Sequence, residues 1–357
     1  MSNTFGTKLK TTIFGQSHSD AIGVVVDGLP AGIRLDMEHI RNFMARRAPG
    51  RDRFSTKRRE PDAPEIISGL VEGVTCGAPL CAVIRNRDTR SSDYRGFERT
   101  PRPSHSDYTA WLKFNGFNDI RGGGQFSGRL TAPLCFAGAA ALQVLQARGI
   151  IIGAHILSVA GIRDDAPDLA SVDEETLALA RKNSFPALSA EKGQAMMDAI
   201  DAARAAGDSV GGIIRCCCLN FPAGLGEPMF DGIENRIAQG MFAIPAVRGV
   251  SFGAGFDAAS MLGSQHNDPF CMADGAVRTR TNNHGGVLGG ITTGMPIVTD
   301  VAFKPTPSIS LEQDTVDLVT GQNCKIAITG RHDPCIVQRA VPCVEAVMAL
   351  TLLDFLL

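Results

Sequence analysis

Apolar and polar positions along the chain change period several times, and the changes mark out alternating strands and helices. Residues 7–14 and 21–27 are rich in β-branched and apolar side chains and flank the polar turn GQSHSD, which predicts a hairpin with His18 at its turn. Asp36 stands where an N-cap is needed for an amphipathic helix over 37–46. Residues 65–72 and 80–85 alternate or run apolar, as strands do. The Ala-rich stretch 132–147 predicts a helix stopped at Gly149. Beyond it the pattern predicts a strand over 150–162, helices over 172–182 and 190–206, a strand over 211–219, a helix over 230–243, and strands over 246–255 and 297–303. This order is not a repeated βαβ ladder. The apolar run 340–357 is interrupted by Pro342, Glu345 and Asp354 and is expected to be a buried core helix, not a membrane span.

Composition narrows the class without naming a function. The chain has 357 residues, 44% hydrophobic and 20% charged, enough for one large core or two smaller ones. A formal net charge of −2 provides no global field toward nucleic acid or a membrane surface. There are ten cysteines, but Cys216, Cys217 and Cys218 are consecutive in a strand-like run and no CxxC pair occurs. Buried reduced thiols in a cytoplasmic protein are expected, with no metal site. The first ten residues lack the apolar core of a secretory signal, which fits the same expectation.

Basic character is local. Between Arg46 and Arg59 seven basic side chains (Arg46, Arg47, Arg51, Arg53, Lys57, Arg58, Arg59) face one acid, Asp52, with Pro49 and Gly50 keeping the segment a loop. A solvated charge run or an RNA-binding segment is the plain alternative to a site for a small polyanion. Residues 99–131 are the stretch the chain is organised around. They bring together His105, Arg99, Arg102, Arg121, Arg129 and the triple glycine 122–124, with Ser127 and Thr131 as donors, just before the long helix. A glycine-rich loop feeding a helix N-terminus suits an anionic group, and arginine binds phosphate or carboxylate in a fork. A loop that merely turns the chain is the alternative. Later come TRTNNHGGVLGGITTG, a second glycine-rich segment, then Lys304 in KPTPSIS, then GRHDP with Arg331, His332 and Asp333 adjacent. A guanidinium beside Asp333 suits a base that stays ionised.

No GxGxxG, P-loop or GxSxG motif is present. The residues alone point to anion binding combined with proton transfer, and to no particular reaction.

The motifs coincide, in order and over nearly the whole chain, with those of one family. FGQSHS (14–19) is similar to FGESHG of the chorismate synthases, and RRAPGRDRFSTKRREPD (46–62) to their RRxPG…RREPD block. RPSHSDYTAWLKFNGFNDIRGGG (102–124) resembles RPGHADYT…KYG…D.RGGG, with QFSGRLTA (125–132) in the place of RSSARETA. NNHGGVLGGITTG, AFKPTPSI and GRHDPCIVQRAVPCVEA follow as the later blocks. The resemblance implies an α+β fold, a β-α-β sandwich with helices between two antiparallel sheets, in a single domain over 1–357 assembled as a homotetramer. It implies a shikimate-pathway lyase that removes phosphate from 5-enolpyruvylshikimate 3-phosphate by 1,4-anti elimination. Reduced FMN is required, without net redox change. By the same resemblance His18 would assist phosphate departure as a general acid, His105 would set the protonation of the reduced flavin, and Asp333 would help the flavin N5 accept the substrate proton. Gln125, Phe126, Ser127, Ala246, Gly289, Lys304, Pro305, Thr306, Pro307, Ser308 and Arg331 would contact the flavin, and Arg47, Arg53, Arg129 and Arg339 the substrate. The sequence departs from the family pattern at Gln16, Ser19, Gln125, Phe126, Leu130, Pro245 and Asp300. A diverged flavin-binding paralogue, an NAD(P)H-dependent flavin reductase and a nucleic-acid-binding protein are the alternatives. The last predicts aromatic residues among the basic ones, where only Phe54 occurs.

Overall fold

A computed structural model describes residues 3–50, 60–88, 96–273, 275–328 and 332–357. The N-terminal half gives strands β1 (Thr4–Phe5), β2 (Lys10–Gly15) and β3 (Ala21–Asp27), helix α1 (Met37–Arg47), and strands β4 (Pro64–Ser68), β5 (Leu70–Val71), β6 (Val74–Thr75) and β7 (Leu80–Arg85). Helices α2 (Asp107–Lys113) and α3 (Thr131–Gln146) follow, then β8 (Ile151–Val159), β9 (Ile162–Arg163), α4 (Glu174–Lys182), α5 (Ala190–Ala205), β10 (Gly212–Leu219), α6 (Ile233–Phe242) and β11 (Val247–Phe252). The remainder is the short helix α7 (Gly263–His266), the hairpins β12 (Phe270–Ala273)/β13 (Ala276–Thr279) and β14 (Val287–Leu288)/β15 (Ile291–Thr292), strand β16 (Ile297–Phe303), the hairpin β17 (Gln313–Asp317)/β18 (Gln322–Ile326), and helix α8 (Val337–Leu356).

Two five-stranded antiparallel sheets, in the orders β1-β2-β3-β7-β4 and β11-β16-β10-β8-β9, enclose a helical layer. One core cluster runs through both: Ile22, Val24 and Ile84 from the first sheet, Phe136 and Ala140 of α3, Val344 and Met348 of α8, and Ile156, Ile214 and Val301 from the second. The fold is therefore the expected α+β sandwich. The three consecutive cysteines show the period of a strand buried on both faces. Cys216 and Cys218 point into the central core, while Cys217 joins Val172 and Leu177 beneath α4 on the other face.

Helix α8 runs unbroken through the residues that interrupt its apolar pattern. Glu345 pairs with Arg46 at 2.5 Å and accepts from the Ala154 N–H at 3.0 Å. Asp354 accepts from the backbone N–H groups of Thr7, Lys8 and Leu9. That arrangement explains one difference from the sequence pattern: β2 begins at Lys10, not at residue 7, because three consecutive donors are committed to Asp354. The apolar run 65–72 is likewise split at Gly69, whose φ of 93° turns the chain between β4 and β5. Where α3 crosses α8, a Cβ built on Gly138 would lie 2.2 Å from the Ala346 Cβ, so the backbones touch. The segment Gly128–Gln146 is long and apolar enough to cross a membrane, but 83% of its apolar window is buried inside the fold. It is a core helix.

The thiol expectation needs correcting at its edge. Cys135, Cys216, Cys217, Cys218, Cys335 and Cys343 are buried, but Cys76 is exposed and Cys81, Cys271 and Cys324 are half-buried. Cys76 lies next to the turn at Gly77, where little packs over it.

Candidate active site

A cleft of about 830 Å³ opens at one end of the helical layer. Its walls come from the end of α1, the loop 102–106, the stretch Gly122–Thr131, the turn between α6 and β11, the loop after β16, and the start of α8. The wall pieces from α1, α3, α6, β11, β16 and α8 adjoin elements anchored in the core, which fixes the positions of the side chains they carry.

One wall is a buried ion network. Arg47 reaches from α1 to Asp62 at 2.5 Å, and its Nε donates to Thr131 Oγ1 at 3.0 Å. Arg129 pairs with the other Asp62 oxygen and donates through Nε to Asn86 Oδ1 at 3.0 Å. Asp62 sits at φ 47° to face both guanidiniums. Burial is the largest influence on Arg129 and lowers its pKa, with Asp62 acting in the opposite sense. Its buried Nη2 makes no hydrogen bond among the described residues and lies 3.5 Å from Glu60 Oε2. Arg339 closes the network, donating through Nε to the Arg47 carbonyl at 3.1 Å and pairing with Asp333 at 2.5 Å.

Another part of the lining carries His105. His105 Nδ1 lies 2.6 Å from Asp107 Oδ1, and Asp107 is held by Arg102 at 2.7 Å. Burial pushes the Asp107 carboxyl up, but hydrogen bonds from Arg102 and His105 more than reverse it, leaving it well below the usual carboxylate range. A carboxylate accepts only, and its closer approach to Nδ1 (2.6 Å) than that of the Arg102 Nη2 donor (3.2 Å) favours the ring proton on Nδ1 and leaves Nε2 for exchange. The Nε2 edge of His105 faces Gly123, where a Cβ would stand 3.5 Å away. A Cβ on Gly122 would meet the His18 ring at 2.7 Å and Ser17 Oγ at 2.5 Å. The triple glycine is thus a spacer between two histidine-bearing loops, and the Gly123 N–H is spent on the Ile120 carbonyl. Only glycine allows this, since all three have positive φ.

A third group is cationic. Lys304 Nζ donates to the carbonyl and hydroxyl of Ser104, and Arg248 lines the cleft beside it. Burial and the neighbouring Arg248 charge lower the Lys304 pKa. Among the described residues no acid pairs with either of them. The lining also includes apolar residues, Ala243–Val247 with Phe126 and Pro307.

Of the residues named from sequence, Arg47, His105, Gln125, Phe126, Ser127, Arg129, Ala246, Lys304, Thr306, Pro307, Ser308, Asp333 and Arg339 line this cleft. His18 stands behind Gly122. Pro305 is outside the lining, and Gly289 lies in the exposed turn of the β14/β15 hairpin. Arg53 and Arg331 lie outside the described residues, as does most of the basic loop. Sequence reasoning missed the roles of Glu60, Asp62, Asp107 and Arg248. Glu60 and Asp62 stand in the RREPD block and Asp107 two residues after His105 in SHSD, but nothing local marked which side chains they hold. Asp300, one of the departures from the family pattern, forms a two-bond pair with Arg215 across β10 and β16, both bonds 2.7 Å.

The family whose sequence model matches the chain, over residues 9–357, is chorismate synthase. A chorismate synthase of Korarchaeum cryptofilum is 47% identical over 353 residues, covering 99% of this chain and 97% of that protein. One of Dehalococcoides mccartyi is 45% identical over 357 residues, covering 100% and 97%. A chorismate synthase crystal structure superposes with a TM-score of 0.76 at 29% identity, covering 98% of this chain and 92% of that one. With the whole length matched in sequence and in fold, the chain belongs to the chorismate synthase family.

Proposed function

We propose that the protein converts 5-enolpyruvylshikimate 3-phosphate to chorismate and phosphate by 1,4-anti elimination, with reduced FMN bound in the cleft. The observation that carries this reading is the combination, in one cleft, of buried arginines, an apolar strip and a histidine whose tautomer is fixed by a carboxylate. The substrate has one phosphate and two carboxylates, and the cofactor brings a further phosphate. The buried Arg129, whose Nη2 makes no hydrogen bond among the described residues, and the cations Arg248 and Lys304 fit such anions, and the strip Ala243–Val247 with Phe126 fits a flat apolar ring system.

Reduced FMN, when bound, supplies electron density that stabilises the electron deficiency developing as the C–O bond breaks. The chain supplies the rest. Arg47, Arg129 and Arg339 hold the substrate anions in a wall whose own acids, Asp62 and Asp333, keep the guanidiniums in place. His18 gives a proton to the departing phosphate, lowering the charge of the leaving group. His105 holds or releases a proton at Nε2 while Asp107 keeps Nδ1 protonated. Asp333 assists removal of the substrate proton from the opposite face.

The assembly is read as a cytoplasmic homotetramer. Met272 and Val277, paired across β12/β13 and both exposed, offer an apolar face for a subunit contact. Light scattering that gives a monomer mass would remove this part of the reading.

The test of the activity is anaerobic. The protein is mixed with chemically reduced FMN and 5-enolpyruvylshikimate 3-phosphate, and chorismate and phosphate are followed together. Equimolar appearance of both, absent with oxidised flavin, is expected. Absence of product with flavin bound would overturn the assignment.

A further inference from the structure

Behind the arginine wall, two cysteines from different helices meet. Cys135 of α3 donates a hydrogen bond to the sulfur of Cys343 of α8 at 3.8 Å, and both side chains are buried. They lie one turn before the contact of Gly138 with Ala346, so the helices run alongside each other at their closest approach. Cys343 reaches the floor of the cleft, beneath Thr131 and beside Arg47 and Arg339, while Cys135 lies deeper.

We propose that Cys135 and Cys343 are a reversible dithiol–disulfide site whose oxidation state is felt by the anion-binding wall of the cleft. The environment divides the roles. The thiol hydrogen bond from Cys135 is the main influence lowering the Cys343 pKa, opposed by burial and assisted by Arg47 and Arg339; burial pushes Cys135 up. Cys343 is therefore the nucleophile and Cys135 the resolving thiol. The oxidant is a hydroperoxide, such as hydrogen peroxide entering through the cleft. The Cys343 sulfur attacks one peroxide oxygen, the O–O bond breaks, and hydroxide leaves and is protonated to water, giving a sulfenic acid. The Cys135 sulfur then displaces that oxygen, releasing a second water. Overall, two thiols and one peroxide give one disulfide and two waters. A dithiol reductant reverses it by thiol–disulfide exchange.

Closing the bond takes the sulfurs from 3.8 Å to about 2.0 Å. Cys343 then loses its proton and with it the 3.6 Å hydrogen bond to the Arg339 carbonyl at the start of α8. This link to the cleft rests on the flavin reading, whereas formation of the bond does not.

The experiment exposes the native protein, without flavin, to limiting hydrogen peroxide. It is then alkylated in denaturant and mapped without reduction. A peptide pair linked through Cys135 and Cys343 is expected, with both of these residues protected from alkylation and alkylated again after dithiothreitol. Full alkylation of both residues after the exposed Cys76 has been oxidised would overturn the site. In Cys135→Ser, whose hydroxyl keeps a donor beside the Cys343 sulfur but cannot resolve a sulfenic acid, dimedone should label Cys343; absence of the adduct would also overturn the assignment. FMN affinity of the oxidised protein should fall at least about threefold and recover on reduction. Unchanged affinity would overturn the link to the cleft. If the reduced protein binds no FMN, the flavin reading fails while the linked peptide still decides the site.

Discussion

At the scale of single residues, His105 and Asp107 carry the sharpest consequences. His105→Ala should lower turnover far more than it lowers FMN affinity; equal losses in both would remove its role in proton transfer. Asp107→Asn should lower turnover by on the order of 10²-fold, because an amide can donate to Nδ1 and favour the wrong tautomer. The discriminating readout is the pH dependence of turnover, which should change shape in the variant. A parallel drop with an unchanged profile would mean that Asp107 only supports the fold. His105, the basic residues and GRHDP were legible in the sequence because titratable and glycine-rich clusters stand out in one dimension. The pairing of Asp62 and Glu60 was not, since their partners Arg47 and Arg129 come from α1 and from the segment before α3. A carboxylate that neutralises two distant arginines leaves no local mark. Gln125→Arg tests one departure from the family motif. It should tighten FMN if an anionic group approaches, and unchanged binding would mean that the position does not touch the cofactor.

Among the elements, periodicity was read correctly wherever an element is long and faces the core. The expected strands 21–27, 80–85 and 297–303 match β3, β7 and β16, and Asp36 caps α1 by accepting from the Glu38 and His39 N–H groups. The helix α2 and the hairpins β12/β13, β14/β15 and β17/β18 went unseen, because such short elements complete few periods. The α3–α8 crossing was equally invisible, since an Ala-rich pattern does not say which alanine faces a neighbour's backbone. It gives a clear test of packing against propensity. Gly138→Ala should gain up to about 1 kcal/mol of intrinsic helix preference. It should lose more, about 1–3 kcal/mol net, because the new methyl overlaps Ala346 Cα and Cβ, which are not free to swing away. The urea midpoint decides the sign. A stabilised variant would show that the helices separate easily.

For the whole molecule, buried carboxylates set the response to acid. Asp107, Asp164, Asp268 and Asp354 share one balance: burial pushes each carboxyl up, and hydrogen bonds from side chains or backbone N–H groups more than reverse it. Their folded pKa values lie below the unfolded value of about 3.9, so the unfolded chain takes up protons first as pH falls. The stability they contribute is complete above that value and is lost as pH drops through the folded values. The melting temperature should therefore stay nearly level above about pH 5 and fall steeply below about pH 4. A melting temperature that rises over the acid range would contradict the balance. The position of α8 has a consequence of another kind. The helix that fills the centre of the sandwich is translated after every strand it touches, and its Asp354 holds Thr7–Leu9, more than three hundred residues upstream. A nascent chain on the ribosome thus has α1 and α3 available between its two sheets but lacks the helix that completes the layer. Its contact order is high, its folding is completed only after synthesis of the segment 337–356, and its dependence on chaperones should be greatest just before that point.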